Sequence, residues 1–425
     1  MSESRPFEIV VLADFAPAER GRALACPVDL DNLDSFLSAF RPRLELGLDF
    51  CGELELSSAA QLHPDRLCAL VHGLSALVEA RAEAHDPARM AALAAEAGAR
   101  IETETPLAPA SAARPPASDR ALLDELLGGA RRDDTDPVHR LARSLGGAAG
   151  RSDRAAIEQR RAALDAELAR RLRLLLADPA LRRLEALCLG LRALARAAPD
   201  PERVRIRAVH ARADALEHVA TSLGGASLLV AAHGFAADAA GLAQLRALGA
   251  LARATGACAL AGTAPGSGGA FAGADWEKLR GDPAARDVGL CHPRVLARLP
   301  YGAQTDAIDS FPFEELEASA GPASFVWCDA ALAAARTVAR CATETGGTHA
   351  LPAFLDLGDL PVFAGSPALG LAALGPTELA LDDRDAEALA ARGVSPLIAR
   401  RGSDEARLPA LLSIDGRALL ARSER

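Results

Sequence analysis

The sequence predicts an α/β fold in which a small α/β unit packs on a larger α/β domain that two helices precede. From about residue 203 the chain alternates short apolar runs with stretches of helical period, a pattern typical of parallel strands joined by helices. Residues 1–100 show a shorter alternation of the same kind. A chain of 425 residues that is 50% hydrophobic can bury more than one core, so we expect it to fold.

The first hundred residues predict a small unit of strands and one long helix. The apolar run 6–15 indicates a buried strand. Residues 42–50 and 53–57 alternate apolar and polar side chains, which predicts a hairpin with its turn near Cys51. Residues 63–84 repeat apolar side chains at helical spacing and predict a helix.

A linker is predicted after this unit. Residues 102–119 are rich in Pro, Ala and Ser and have no apolar period. A short amphipathic helix, 119–131, follows before further small and polar residues. We therefore predict three regions: 1–100 as the small unit, 101–150 as a flexible linker carrying that helix, and 151–425 as the large domain.

The large domain is predicted to begin with two helices over 152–198 that break near Asp178-Pro179. The elements expected next are strand 203–209, helix 211–223, strand 226–235, helix 240–256 and strand 257–264. Residues 324–346 predict one more helix, and residues 376–401 predict a strand, a turn, a helix and a strand.

Composition argues against several classes of partner. The net charge of −10 disfavours nucleic acid and anionic membranes, which select positive surfaces. No apolar run is long enough to cross a membrane, and we expect no membrane insertion. The eight cysteines lack C-x-x-C pairing and are expected to be reduced thiols of a cytoplasmic protein.

No motif predicts catalysis, a metal or a cofactor. The glycine cluster 264–273 lacks the Lys-Ser/Thr of a phosphate loop. His63, Cys68 and His72 lack the further ligands that zinc requires. Ser310 is not in a G-x-S-x-G elbow and has no histidine nearby in sequence, although a triad assembled in space stays open. An α/β enzyme with an unrecognised site is thus the alternative from another class.

Ordered motifs in the second half resemble one known family. They are WEKLRGDPAARDVGLCHPRVLARLPYG (276–302), SFPFEE (310–315), FVWCDAALAAARTVA (325–339) and PTELALDDRDAEALAARGVSPL (376–397). In this order they resemble the large sheath subunit of type VI secretion systems, the TssC/VipB/EvpB family. Cys188 and Leu189 depart from the Trp-Arg that this family usually carries there.

The first hundred residues resemble a different protein, the small sheath subunit TssB/VipA. The likeness lies in PFEIVVLADFAP, VDLDNLDSFLSAFRPRLEL and SSAAQLHPDRLCALVHGLSALVEAR. Normally the two subunits are separate chains that form a heterodimer. The two resemblances together imply a fusion of small and large subunits in one chain.

The resemblance implies a structural role with no catalysis and no cofactor. The expected partners are copies of itself or other sheath subunits, the inner tube protein and the baseplate. Relative to the family, the chain is expected to lack an N-terminal arm and a C-terminal segment that knit protomers together by strand addition. A non-polymerising accessory or terminator that docks on a sheath or baseplate is therefore the alternative role.

Large and charged side chains in the resembling segments are candidate interface or packing residues. Aromatic side chains provide large contact area with polar tips, and arginines can fork onto carboxylates to fix geometry between units. We expect Arg294 and Arg298 to serve assembly and not the stability of the monomer. The candidates are Trp276, Arg280, Arg286, Arg294, Arg298, Tyr301, Glu314, Glu315 and Trp327.

The short helix 119–131 has a separate expected role. It resembles the element that the large subunit presents to the AAA+ disassembly ATPase ClpV. Its expected groove-binding face consists of Leu122, Leu123, Leu126 and Leu127. An ordinary packing helix is the equally weighted alternative.

Overall fold

The structure, a computed structural model, describes residues 5–16, 25–47, 50, 52–99, 137–346, 354–400 and 402–420, with the backbone alone at 137–152, 221–222 and 268. The strands β1 to β14 are, in order, Phe7–Ala13, Ala25–Pro27, Arg43–Leu46, Gly52–Glu55, Val204–His210, Leu228–Phe235, Cys258–Thr263, Val288–His292, Val295–Leu296, Trp327–Cys328, Leu355–Leu357, Val394–Pro396, Ile398–Ala399 and Ala406–Leu408. The helices α1 to α9 are, in order, Pro64–Leu70, His72–Ala82, Pro87–Glu96, Pro137–Leu176, Pro179–Ala197, Ala239–Thr255, Ala274–Arg280, Ala330–Thr345 and Asp383–Ala391.

A seven-stranded sheet forms the main core, in the order β12-β8-β7-β6-β1-β5-β2. All neighbouring pairs are parallel except β2 and β5, which are antiparallel at one edge. β1 pairs with β5 along its whole length, from Phe7 opposite Val204 to Ala13 opposite His210, and on its other side with β6. This parallel sheet with crossover helices confirms the predicted α/β class.

Both faces of the sheet are covered, which explains why its central strands β1, β6 and β7 are buried over most of their length. On one face Val10, Leu229 and Ala259 join the same buried cluster as residues of α6. On the other face α8 approaches so closely that a Cβ at Gly262 would lie 2.1 Å from Asp329 Oδ1. Glycine at position 262 therefore makes room for the start of α8.

The chain forms two compact units whose limits differ from the predicted domains. One unit comprises residues 1–67 and 173–425, and the other comprises residues 68–172. The predicted small unit, residues 1–100, is therefore divided: β1 to β4 belong to the unit that contains the large sheet, and α2 and α3 belong to the other unit. A central strand cannot be separated from its sheet, because its backbone groups bond to neighbours on both sides.

The second unit is held by arginines that reach from α4 to the helices before it. Arg160 Nε donates to the Ala84 carbonyl at 2.8 Å, and Arg171 Nη1 donates to the Ala97 carbonyl at 2.6 Å. Arg81 pairs with Asp165. Leu164, Leu168 and Leu172, which repeat at helical spacing on α4, are buried here.

Helix ends follow the capping signals in the sequence. The predicted break near Asp178-Pro179 is confirmed, because the Asp178 carboxylate accepts the amides of Ala180 and Leu181 at 2.9 and 3.0 Å and caps α5. α6 ends at Gly256, whose φ of +69° is the left-handed conformation that glycine adopts freely.

Four element predictions are wrong in detail. The helix expected to begin at residue 152 begins at Pro137, inside the region predicted as a flexible linker. The helix expected over 211–223 is only a 3₁₀ turn, Leu216–Ser222, because the Ala211 amide donates to the Ala13 carbonyl and continues the strand contacts. The helix 63–84 is interrupted at Val71, whose backbone is extended. The strand expected near 376 is a single bridge between Thr377 and Val295.

Helix α8 begins directly after the two-residue strand β10, at a capping aspartate. The Asp329 carboxylate accepts the Ala331 amide at 2.8 Å. Burial raises the pKa of Asp329 from 3.8 to about 6, although hydrogen bonds from backbone amides and nearby Arg294 oppose the shift. The charged form is therefore disfavoured in the folded state.

We expect Asp329→Asn to change how stability depends on pH. Because the folded-state pKa is raised, the native carboxyl contributes stability below pH 3.8, and this contribution is lost as pH rises toward about 6. From about pH 5 to about pH 7.5 the native protein should lose about 1.4 kcal/mol relative to the variant. Urea unfolding of both proteins across this range measures the difference. The same substitution at the exposed cap Asp382 is the control, and a parallel pH profile for the Asp329 variant would contradict the expectation.

Within the described residues, no helix combines the length and apolar character that crossing a membrane requires. The cysteines whose placement is described are all free thiols.

Candidate functional site

Trp276 lies in the core and anchors helix α7. Its side chain is 1% exposed and its ring centroid lies 5.0 Å from that of Phe271. Its indole Nε1 donates to the Arg392 carbonyl at 3.0 Å, next to the end of α9. Trp276 therefore packs within this chain, which favours the packing role over the interface role.

Three of the candidate arginines bind groups within the chain. Arg280 Nε donates to the Ile414 carbonyl at 3.1 Å. Arg286 is more than half exposed and its Nε lies 3.8 Å from Asp415. Arg294 forks onto Glu378, with nitrogen–oxygen distances of 2.6 and 2.8 Å.

Arg298 is the centre of a buried ionic cluster with Glu185 and Glu315. Its guanidinium donates to Glu185 at 2.5 and 3.3 Å and to Glu315 at 2.7 and 3.1 Å. Glu185 is 4% exposed and Glu315 is 8% exposed. Burial opposes the charge on Arg298, but the two carboxylates raise its pKa further above its ordinary range. The cluster joins α5 to the segments that follow β9 and therefore fixes internal geometry.

Tyr301 completes this cluster. Its ring centroid lies 4.1 Å from Arg298 Cζ, and its amide donates to Glu315 at 2.8 Å. Burial raises the pKa of the Tyr301 phenol above its ordinary value, despite the nearby Arg298. The hydroxyl therefore stays protonated at neutral pH.

Glu314 does not pair with the arginines of segment 276–302. Its Oε1 instead accepts the amide of Ala303 at 3.0 Å, and its Oε2 lies where a Cβ at Gly302 would be. The expectation that those arginines fork onto both acids is thus right for Glu315 and wrong for Glu314. The side chain of Glu314 stabilises the turn after Tyr301.

Trp327 is also a packing residue of this unit. It is 6% exposed, and β10 pairs it with Leu296. Its Nε1 donates to the Pro322 carbonyl at 2.8 Å, and its ring packs beside Phe325. The side chain therefore belongs to a small apolar cluster with Leu296, Leu316, Phe325 and Phe363.

A cleft of about 870 Å³ opens beside Tyr301 and brings Ser310 close to an acid and a histidine. Ser310 Oγ donates to Asp65 at 2.6 Å, and the same carboxylate accepts the amides of Asp309 and Ser310. The rings of His63 and Tyr301 make an edge contact with centroids 5.3 Å apart. The structure thus juxtaposes residues whose proximity the sequence left open.

The arrangement around Ser310 does not activate a nucleophile. A nucleophilic serine donates its proton to a base such as histidine. Here the hydroxyl donates to Asp65, and hydrogen bonds from Ser310 and Asp309 lower the pKa of that carboxyl against the opposing effect of burial. His63 Nδ1 accepts the Asp65 amide at 3.3 Å. The group therefore ties the loop at 309–310 to the start of α1.

Among the residues that the structure describes, no three His, Cys, Asp or Glu side chains are arranged to hold a metal ion. The predicted ATPase-recognition helix 119–131, with Leu122, Leu123, Leu126 and Leu127, lies outside the described residues.

Sequence reasoning missed three partners of the candidate residues. Glu185 and Arg298 are 113 residues apart, Arg294 and Glu378 are 84 apart, and Asp65 and Ser310 are 245 apart. One signal was available for Glu185, because it stands in the otherwise apolar stripe of α5. An acid in such a stripe indicates a buried cationic partner.

Part of the second half of the chain matches a known protein family. Residues 271–415 match the family VipB, described as EvpB/VC_A0108, tail sheath N-terminal domain. A 143-residue stretch is 36% identical to the type VI secretion system sheath protein TssC1 of Pseudomonas aeruginosa. That stretch covers 31% of this chain and 27% of the relative. The predicted resemblance to the large sheath subunit is supported for this part of the chain.

The matched domain is structural and not enzymatic. Segment 271–415 contains most of the candidate residues, from Trp276 to Trp327. Their contacts in the described structure therefore lie in the part of the chain that matches a tail sheath domain.

Proposed function

We propose that this chain is a structural subunit of a type VI secretion contractile sheath and performs no catalysis. The observation that carries the proposal is the match of residues 271–415 to a tail sheath domain. The identity of 36% to a sheath protein over 143 residues adds to it. Self-association with other sheath subunits follows from this role, while the inner tube protein and the baseplate are proposed as further partners.

The internal contacts of the matched segment suit a load-bearing part. Arg294 and Arg298 hold their carboxylates with paired, short hydrogen bonds, which fix orientation as well as distance. Beside Tyr301, Arg298 pairs with Glu185 and Glu315, and Ser310 donates to Asp65, so these groups hold one another in place. These features favour rigidity over reactivity.

We further propose that one chain combines the small and the large sheath halves. In support, β1 comes from the part that resembles the small subunit and lies between β5 and β6 of the large part, with seven paired positions along β5. A short flexible tether would keep such halves at an effective concentration of about millimolar. The ATPase-recognition role of helix 119–131 also remains a prediction, as does a cytoplasmic location.

Electron microscopy of the purified chain with the inner tube protein tests both proposals. We expect tubes wider than those of the tube protein alone, without any added small sheath subunit. Wide tubes that form only after adding a separate small subunit would contradict the fusion and retain the sheath role. A uniform monomer under every condition would overturn the sheath role and favour the accessory that docks without polymerising.

A further inference from the structure

A groove between α5 and α8 concentrates positive charge. Arg192 and Arg196 of α5 and Arg336 and Arg340 of α8 line it, and its volume is about 590 Å³. This volume lies within the range of about 300–1,000 Å³ that is usual for binding pockets. The groove is separate from the cluster around Arg298, although Arg192 also borders the cleft beside Tyr301.

The positive charge of the groove is poorly compensated. Of the described residues that line it, Asp359 alone is acidic. Arg192 pairs with Asp34 at 2.7 Å. In the part of the chain that the structure describes, no carboxylate lies within 4.0 Å of the guanidinium nitrogens of Arg196, Arg336 or Arg340.

Two of these arginines bind only backbone oxygens among the described residues. Arg336 Nη2 donates to the Gly358 carbonyl at 3.1 Å, and Arg340 Nη2 donates to the Asp356 carbonyl. Burial lowers the pKa of Arg336, because the charged guanidinium loses part of its hydration. These contacts orient the guanidinium groups and leave further donors for a ligand, since each carries five N–H groups.

The placement of the arginines costs helix stability. Each helix carries two of them four positions apart, and like charges at this spacing destabilise a helix. Both pairs face the same groove. Such a concave surface, whose charges are mostly positive, attracts negatively charged ligands.

The floor of the groove is apolar. Leu296, Leu332 and Leu360 line it, and each is buried. The two helices approach closely at Gly190, where a Cβ would lie 2.7 Å from Leu332 Cδ1. A ligand that fits this floor needs apolar groups as well as negative charges, which disfavours a simple inorganic anion.

We propose that this groove binds an extended acidic peptide segment of a partner protein, with carboxylates on the arginines and apolar side chains on the leucine floor. The spacing supports an extended peptide. Arginines four positions apart on a helix are separated by about 6 Å along its axis. Alternate residues of an extended peptide are separated by about 6.6 Å and point to the same side. An alternating acidic and apolar sequence therefore presents its carboxylates on one face at about the spacing of the arginines, and its apolar side chains on the other face.

The test uses the full-length chain and a fluorescent peptide of alternating aspartate and leucine, followed by polarisation. We expect binding at about 50 mM salt that weakens strongly at about 500 mM, because exposed charge pairs are screened. Arg196→Gln with Arg340→Gln should weaken binding roughly tenfold or more, the equivalent of about 1.4 kcal/mol. Both side chains are exposed, so the variant should keep the unfolding midpoint of the native protein.

Matched controls decide the outcome. Arg89→Gln with Arg384→Gln removes two exposed arginines elsewhere and should leave peptide binding unchanged. A second test measures the binding of two other probes to the native chain alone. One is a peptide of alternating lysine and leucine, and the other is an oligonucleotide with the same net charge as the acidic peptide. The proposal is overturned by equal binding of either probe, by equal loss in both double variants, or by complete displacement with inorganic phosphate at constant ionic strength. The proposal of a peptide-binding groove does not depend on the proposed sheath role.

Discussion

Replacing Arg298 with methionine is expected to lower the free energy of unfolding by about 3–5 kcal/mol. The substitution leaves Glu185 and Glu315 buried at 4% and 8% exposure without the cation that holds both. An unpaired buried charge is far more costly than the loss of an exposed ion pair. Urea unfolding followed by circular dichroism measures the effect.

Two controls separate burial from the mere loss of an arginine. Arg286→Met removes an exposed arginine 3.8 Å from Asp415 and should cost less than about 1 kcal/mol. Adding Glu185→Gln and Glu315→Gln to the Arg298 variant removes the stranded charges and should recover part of the loss. An Arg298 variant with native stability but no assembly would restore the interface role that the sequence predicted.

Replacing Trp276 with alanine is expected to lower the free energy of unfolding by about 3–5 kcal/mol. The indole is 1% exposed and contacts Phe271, so its removal leaves a large cavity beneath α7. The carbonyl of Arg392 also loses the donor that lies 3.0 Å away. The loss should appear as a lower urea midpoint.

Trp276→Phe is the matched variant, because it retains an aromatic ring and removes the indole donor. It should lower the free energy of unfolding by about 1–2 kcal/mol, so that its stability lies between those of the native protein and the alanine variant. Equal stability of all three proteins would show that Trp276 is not a core residue. A normal midpoint combined with failure to form tubes would identify it as an interface residue.

The central sheet was predictable from local pattern, for a physical reason. Parallel strands buried on both faces are continuous apolar runs, and β6 and β7 are nearly of this kind, whereas β5 shows the apolar and charged alternation of a half-exposed strand. Helix α6 carries both an apolar period and a terminal glycine. Such signals are local, so a single sequence is sufficient to reveal them.

The position of β1 and the partners of Arg298 were not predictable from local pattern. Pairing between Phe7 and Val204 depends on the order of the strands in the sheet. The residues near Phe7 in sequence carry no information about that order. Glu315 was found because it stands in a motif near Arg298, whereas Glu185 comes from a distant helix. The helix expected over 211–223 failed because backbone pairing with Ala13 outweighed local propensity.

The central place of β1 has a consequence for synthesis on the ribosome. Glu8 leaves the ribosome 199 residues ahead of its partner Arg207. At about 5–20 residues per second, translation of that interval takes about 10–40 seconds. During this time the apolar strand Phe7–Ala13 has no neighbours to bond with. Nascent chains of this protein are thus a natural substrate for chaperones that shield exposed apolar strands until the later ones arrive.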